Sequence, residues 1–389
     1  MEWVIKISLK SEPSWSKNWK EFKISLPHQK KPFSKRNWGN KLHSLCSYAG
    51  KLKPSIAYNL VKIFVPEKGN LLDPFSGVGT IPLEGALQGK KSYAFDLSPL
   101  AYIITKAKLE KPSHNECMKV IENLKKYILN EKPSKEELEE AERFGFNSKI
   151  VDYYHKKTLN EILLSRRFFN FKLSVEELDT SEAFVMGCLL HILHGNRPYA
   201  LSRRSHPLTP YAPTGIFEYK PLISKLNDKV NNSLDIPLPK EFQEGNVFKI
   251  DSTTWWPTEI NNLDAIITSP PFFDSTRFYM ANWIRMWFCG WSPKDFEIKS
   301  HEFIDERQKE NFSVYEPVIR QSRERLKENG VLVFHLGKSD KCDMAKEILK
   351  ISKPWFENHD ILDESVTHLE KHGMRDKGRV TSHLYLILY

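Results

Sequence analysis

The stretch Gly69-Asn70-Leu71-Leu72-Asp73-Pro74-Phe75-Ser76-Gly77-Val78-Gly79-Thr80 leaves this chain few folds to choose from. A short apolar strand runs into a Gly-x-Gly turn, and a helix follows with apolar Ile81, Leu83, Ala86 and Leu87. Gly77 and Gly79 can take positive φ and let a ligand approach the backbone closely. The helix beyond them presents N–H groups with no intrahelical partner. This is the ligand-binding first turn of a Rossmann-like sheet. No Gly-Lys-Ser/Thr follows, so it is not a phosphate loop, and Pro82 stands where the third glycine of a dinucleotide fingerprint belongs. The next strand, Ser92-Tyr93-Ala94-Phe95, closes on Asp96. An acid there, about 20 residues after the glycines, is placed to accept both hydroxyls of a ribose. Asp96 also reads as a helix N-cap before Ser98-Pro99, and one side chain can do both.

A second constraint lies far downstream. Leu263-Asp264-Ala265-Ile266-Ile267 is an apolar run suited to a buried parallel strand. It ends in Thr268-Ser269-Pro270-Pro271-Phe272. Two prolines remove two donors and fix two φ angles, and Ser269 is pushed to an extended conformation by the proline after it. The product is a stiff loop at the carboxyl end of a strand, offering a hydroxyl, rigid carbonyls and an aromatic face. Those parts suit a flat ring bearing an exocyclic amino group. Taken alone, such a loop is more often a plain strand-to-loop turn.

The chain has 389 residues, with 40% hydrophobic and 12% aromatic content, and is globular. No apolar run approaches 18 residues, no signal-peptide pattern opens the chain, and none of the five cysteines forms a Cys-x-x-Cys pair. A cytoplasmic protein with no membrane contact and no metal is expected. The net charge is +9, and residues 1–55 carry twelve Lys and Arg against three acidic residues. Trp3, Trp15, Trp19, Phe22, Phe33 and Trp38 are interleaved with that charge. The pattern suits a nucleic acid followed through phosphates and stacking, or a basic arm kept for solubility. Within it, Phe22-Lys23-Ile24 reads as a short strand.

The two motifs together carry a resemblance. Asp73 to Thr80 is similar to the cofactor motif, and Ser269-Pro270-Pro271-Phe272 to the catalytic motif, of S-adenosylmethionine-dependent DNA amino-methyltransferases. Lys53-Pro54 and the helix after it resemble the segment over the methionine end of the cofactor. Phe95-Asp96-Leu97-Ser98-Pro99 resembles the ribose turn. The resemblance implies an α/β fold, a Rossmann-like methyltransferase sheet, mostly parallel with an antiparallel last strand, carrying a helical insertion. The expected domain plan is a basic N-terminal arm (1–45), a cofactor half (46–110), a mostly helical insertion for DNA recognition (111–240), and a catalytic half (241–389).

It further implies cofactor contacts from Lys53, Pro54, Asp73, Phe75, Gly77, Gly79, Thr80, Asp96 and, at the adenine amino group, Asp251. Ser269, Pro270, Pro271 and Phe272 are the catalytic candidates. Arg203, Arg204 and His206 at the end of the insertion, with Arg277 and Arg285 behind the catalytic loop, are the nucleic-acid candidates. The partner is double-stranded DNA, with a cognate restriction nuclease as a further candidate. In the family the chain resembles, serine at the head of the catalytic motif goes more often with cytosine N4, and Asp or Asn more often with adenine N6, so the resemblance implies cytosine N4. Adenine N6, an RNA base, and a catalytically silent nucleic-acid-binding protein remain the alternatives. No cysteine follows a proline, which sets cytosine C5 chemistry aside.

Overall fold

The computed structural model describes residues 12–35, 37–48, 50–175, 177–205, 211–273, 275, 277–366 and 380–389. The first helix is α1 (Ser16–Ser25), followed by α2 (Pro54–Phe64), β1 (Asn70–Asp73), α3 (Thr80–Leu87), β2 (Lys91–Phe95) and α4 (Pro99–Leu109). The insertion holds α5 (His114–Asn130), α6 (Lys135–Arg143), α7 (Ile150–Tyr153), α8 (Lys156–Val175), α9 (Thr180–Ile192) and α10 (Leu222–Leu234). The sheet resumes with β3 (Asn246–Phe248) and β4 (Leu263–Thr268). After α11 (Phe278–Ala281), α12 (Trp283–Phe288), α13 (Asp295–Ile298), α14 (Ile304–Arg307) and α15 (Glu316–Arg325) come β5 (Leu326–Ser339), α16 (Met344–Ser352), β6 (His359–Ser365) and β7 (Val380–Leu388).

Among the described residues, seven strands form one sheet in the order β3-β2-β1-β4-β5-β7-β6. All neighbours are parallel except β7, which is antiparallel to both β5 and β6. This is the expected mostly parallel Rossmann-like sheet with an antiparallel last strand. Strand order reverses between β1 and β4, and ligands bind beyond the carboxyl ends of the strands at such a switch point. Both motifs end strands there.

Side chains alternate across the sheet. Leu71, Ala265, Ile267, Val331 and Val333 pack with α1 and α2, whereas Leu72, Ile266, Leu332 and Phe334 pack on the other face with Val318, Ile319 and Ile348 of α15 and α16. Register fixes which residue at the end of β4 meets which neighbour: Ile267 pairs with Val333 and Thr268 with Phe334. One residue further on, Ser269 and His335 fall on the same face of adjacent strands.

Two readings of the N-terminal segment need correction. Phe22-Lys23-Ile24 lies inside α1 and is not a strand. Its aromatics are also not free to stack on bases. Trp19 is 1% exposed and Phe22 2%, and both pack with Phe64 or Tyr385. Trp19 Nε1 donates to Asp360 at 3.0 Å. The aromatic spacing serves an amphipathic helix that covers one face of the sheet. Phe33 and Trp38 pack against Tyr58 of α2. Trp3 lies outside the described residues.

The helical insertion packs on the sheet domain: α9 lies along α4 and is bordered by α5 and α10. Its core is continuous with Trp283, Ile284 and Trp287 of α12. Among the described residues, no helix is long and apolar enough to cross a membrane.

Candidate functional site

The cofactor turn is built from behind. Thr105 Oγ1 of α4 donates to the Gly77 carbonyl at 2.9 Å, and Lys108 Nζ donates to the Val78 carbonyl at 2.6 Å. With its carbonyls drawn backwards, the turn leaves its other side to a ligand. Lys108 is 1% exposed, and burial lowers its ammonium to about 7. The two glycines have different work. Gly79 has φ +71°, and a Cβ there would lie 2.7 Å from Thr105 Cγ2, so this glycine lets α4 approach. Gly77 has φ +52°, and a Cβ there would meet nothing within 4 Å, so this glycine faces the open side.

Asp96 closes the turn. Its Oδ2 accepts the Gly77 N–H and its Oδ1 the Ser98 N–H, both at 2.8 Å. A carboxylate has about four lone-pair sites, so acceptor capacity remains for ribose hydroxyls. Burial pushes Asp96 up to about 7, against the two backbone hydrogen bonds that favour its ionised form. Asp73 ends β1 and is 2% exposed. Its Oδ1 accepts the Phe75 N–H at 3.1 Å and the Thr268 hydroxyl at 2.6 Å. The last residue of β4 is thereby tied to the last residue of β1, which brings the two motifs together. Burial raises Asp73 to about 7. Phe75 sets its ring edge-on to Tyr315, and Thr80 opens α3 in a buried position.

The Ser269-Pro270-Pro271-Phe272 loop is held on both sides. Gln308 Nε2 donates to the Pro271 carbonyl at 3.0 Å, and Tyr315 OH donates to Gln308 Oε1 at 2.9 Å. No described group donates to the Pro270 carbonyl. The Ser269 hydroxyl lies 3.0 Å from Nδ1 of His335. Phe272 is half-buried, with its ring 5.5 Å from the His335 ring. It sits on β5 at Gly337, where a Cβ would come within 2.6 Å of the ring. Phe273 stacks on Phe312 and its N–H faces Met344 Sδ, so it belongs to the packing behind the loop.

Three residues at this end of the sheet carry no motif. Asp305 is 4% exposed, and among the described residues its Oδ2 has no hydrogen-bond partner. Burial pushes Asp305 up to about 6. Its charge acts on Asp96 and on Tyr48, whose phenol is raised by burial first and then by these two carboxylates. Tyr48 stacks on Phe278, centroids 5.9 Å apart and rings 7° from parallel. His335 is the third. It stands alone as a polar residue in the apolar run Val331 to Leu336, a signal the sequence does offer. Asp305 and Tyr48 give no local signal, since only the tertiary fold brings them to Asp96.

The remaining candidates are placed as follows. Asp251 spends Oδ1 on the N–H and hydroxyl of Thr253 and pairs through Oδ2 with Arg307 at 3.0 Å. The Ser252 hydroxyl beside it donates to the Pro74 carbonyl, which ties this turn to the cofactor turn. Pro54 opens α2, and Lys53 before it turns its ammonium to the His28 carbonyl at 2.6 Å. Arg203 bonds the Gly215 and Asp152 carbonyls and lies over Phe217, 4.1 Å from the ring centre. Arg204 is exposed. Arg277 is exposed and pairs with Glu306 at 2.6 Å. His206 lies outside the described residues. Arg285 is a correction: it is 1% exposed, and its guanidinium bonds the Leu190 carbonyl at 2.9 Å and Asn282 Oδ1 at 3.1 Å. It joins α12 to the insertion and cannot reach a nucleic acid.

The residues fit S-adenosylmethionine. An open glycine face, a carboxylate with free lone pairs for a ribose, and the buried acids Asp73, Asp96 and Asp305 suit a nucleoside that carries a sulfonium cation.

A family model described as "UPF0020: RMKL-like, methyltransferase domain" matches residues 44–147. No curated protein matches the chain in sequence. Among solved structures, a TehB-like SAM-dependent methyltransferase from Corynebacterium glutamicum is 8% identical, with 85% of each chain covered and a TM-score of 0.32. An rRNA methylase from Streptococcus thermophilus is 7% identical, covering 87% of this chain and 97% of the other, with a TM-score of 0.31. The sheet order, the glycine turn and the family match agree: this is an S-adenosylmethionine-dependent methyltransferase, and S-adenosylmethionine is its cofactor.

Proposed function

We propose that the protein methylates the exocyclic amino group of a nucleic-acid base, and that the base is a cytosine of double-stranded DNA taken out of the duplex and methylated at N4. The observation that carries this reading is the Ser269-Pro270-Pro271-Phe272 loop, which Asp73 ties to the cofactor turn through Thr268.

An exocyclic amine is a poor nucleophile because its lone pair is delocalised into the ring. The Ser269 oxygen and the Pro270 carbonyl are acceptors for its two hydrogens. Accepting both lets the nitrogen pyramidalise and recover its lone pair, which is stabilisation aimed at the transition state. When bound, S-adenosylmethionine supplies an activated methyl group on a sulfonium sulfur. The stiff loop and the glycine turn align the reacting atoms, and alignment of this kind is worth several kcal/mol, up to about 7–11. Phe272 holds the plane of the extruded base. No covalent enzyme intermediate is required.

Serine at position 269 favours cytosine N4 over adenine N6 through the resemblance to the amino-methyltransferases. A second reading keeps the chemistry and puts the base in RNA. The loop addresses an amine and a ring, and nothing in it tests the sugar. Methyl transfer from labelled cofactor to DNA and, separately, to total RNA, with digestion to nucleosides, tests both. Phe272→Ala is expected to lower turnover far more than cofactor affinity. Equal loss of both would move Phe272 out of the base site.

A further inference from the structure

We propose that His335 is a positioning residue for Ser269 and the acceptor of the proton released by methyl transfer. The inference rests on the amine-methylation reading and adds a residue to it.

The geometry comes from the sheet. The β4–β5 register places Ile267 opposite Val333 and Thr268 opposite Phe334, so the next residues, Ser269 and His335, adjoin on one face. The Ser269 oxygen and His335 Nδ1 are 3.0 Å apart. A slip of one residue would turn His335 to the opposite face and break the pair. His335 is 2% exposed, and among the described residues its Nε2 has no hydrogen-bond partner. The groups facing it are His383 and Tyr385 of β7, with ring centroids at 4.9 and 5.1 Å, and Phe272 of the loop. The Tyr385 hydroxyl is turned away to Glu364, and that carboxylate also holds His28. Among the described residues, no carboxylate touches His335 itself. Burial first, then the charges of His383 and His28, holds it well below the ordinary histidine range, so it is a neutral imidazole.

A neutral imidazole with unprotonated Nδ1 accepts the Ser269 O–H. That fixes the hydroxyl hydrogen away from the base and leaves the serine lone pairs for the amine. Transfer then leaves a proton to remove. The N–C bond forms as the C–S bond breaks, and the electron pair stays on sulfur. The methylated amino group carries the positive charge and must lose one hydrogen. That proton passes to the Ser269 oxygen while the Ser269 proton passes to His335 Nδ1, leaving neutral product, neutral serine and an imidazolium. A protonated base amine is a strong acid, so a weak buried imidazole suffices as acceptor.

Two measurements test this. In protein labelled with 15N-histidine and free of ligands, the His335 Nδ1 signal should be that of an unprotonated, hydrogen-bonded nitrogen and should shift in Ser269→Ala; a protonated Nδ1 overturns the proposal. His335→Asn keeps an acceptor near Nδ1 but cannot take up a proton. It should lower single-turnover methyl transfer about 100-fold while cofactor affinity by calorimetry stays unchanged. His335→Gln, whose amide reaches toward the Nε2 position, should lose at least as much. Folded variants that bind cofactor and turn over within about threefold of wild type overturn the proposal, since general acid–base groups contribute far more than that. Wild-type protein that methylates neither DNA nor RNA would instead overturn the functional reading beneath it.

Discussion

Alanine at Gly77 and alanine at Gly79 should fail in opposite ways. Both glycines are left-handed, at φ +52° and +71°. An L-residue in that conformation costs about 1–2 kcal/mol. At Gly77 this is the whole structural cost, because a Cβ meets no atom within 4 Å. At Gly79 the new methyl would sit 2.7 Å from Thr105 Cγ2, 2.9 Å from Oγ1 and 3.1 Å from Cβ. Carbon–carbon contacts are optimal near 3.5–4.0 Å, and overpacking of this kind costs about 1–3 kcal/mol more. Gly79→Ala should therefore lose about 2–5 kcal/mol of stability. Thr105→Ala should restore part of that loss in the double variant. Gly77→Ala should melt close to wild type yet bind S-adenosylmethionine at least tenfold more weakly, about 1.4 kcal/mol, because its methyl projects into the cofactor face. Denaturant titration and calorimetry on the two variants read both quantities. Wild-type cofactor affinity in Gly77→Ala would refute the assignment of that face. Equal stability loss in both variants would refute the division of labour between the glycines.

Three further outcomes follow. Trp19→Ala should cost about 3–5 kcal/mol in chemical denaturation, because its indole is in the core; a folded variant whose only defect is nucleic-acid binding would restore the segment as a binding arm. Arg285→Leu leaves the Leu190 carbonyl and Asn282 without their guanidinium partner, so it should destabilise by about 1–3 kcal/mol per group left unsatisfied, and an unchanged melting temperature would contradict the buried placement. Cofactor affinity should rise with pH through about 7 and level off above it, with a shallower slope in Asp96→Asn. The sign follows from Asp96: burial raises it to about 7 in the free protein, and hydroxyl donors and a cation favour its ionised form, so binding releases a proton. Affinity that falls as pH rises would refute this.

The sheet was legible because each of its signals is local. Asp73 to Thr80 and Leu263 to Phe272 each announce a strand that ends in a ligand loop, and the chain folds them side by side. The α1 helix was not legible as core. Its tryptophans lie among lysines, and a basic aromatic segment reads the same whether its rings cover a sheet or wait for a polymer. α10 carries Leu222, Leu226 and Val230 at helical spacing, a period diluted by the polar residues between them. Arg285 looked like a polymer contact because charge predicts exposure, and only the insertion packed against α12 supplies the carbonyls that let it be buried. Ser269 was legible from its prolines, but its partner was not. His335 meets it through strand register, and register between distant strands is set by the assembled core.

If the loop at Ser269 directs a methyl group to the amine of a nucleic-acid base, the methylated nucleoside will carry the mark on that nitrogen. The most direct measurement is the mass of the methylated nucleoside recovered after incubation with labelled S-adenosylmethionine and genomic DNA, with total RNA in a parallel reaction. N4-methylcytosine from DNA, absent in Ser269→Ala, is the predicted result. N6-methyladenine would keep the mechanism and overturn the base; label only in RNA would overturn the polymer. Label on a ring carbon, or on neither nucleic acid, would contradict the account.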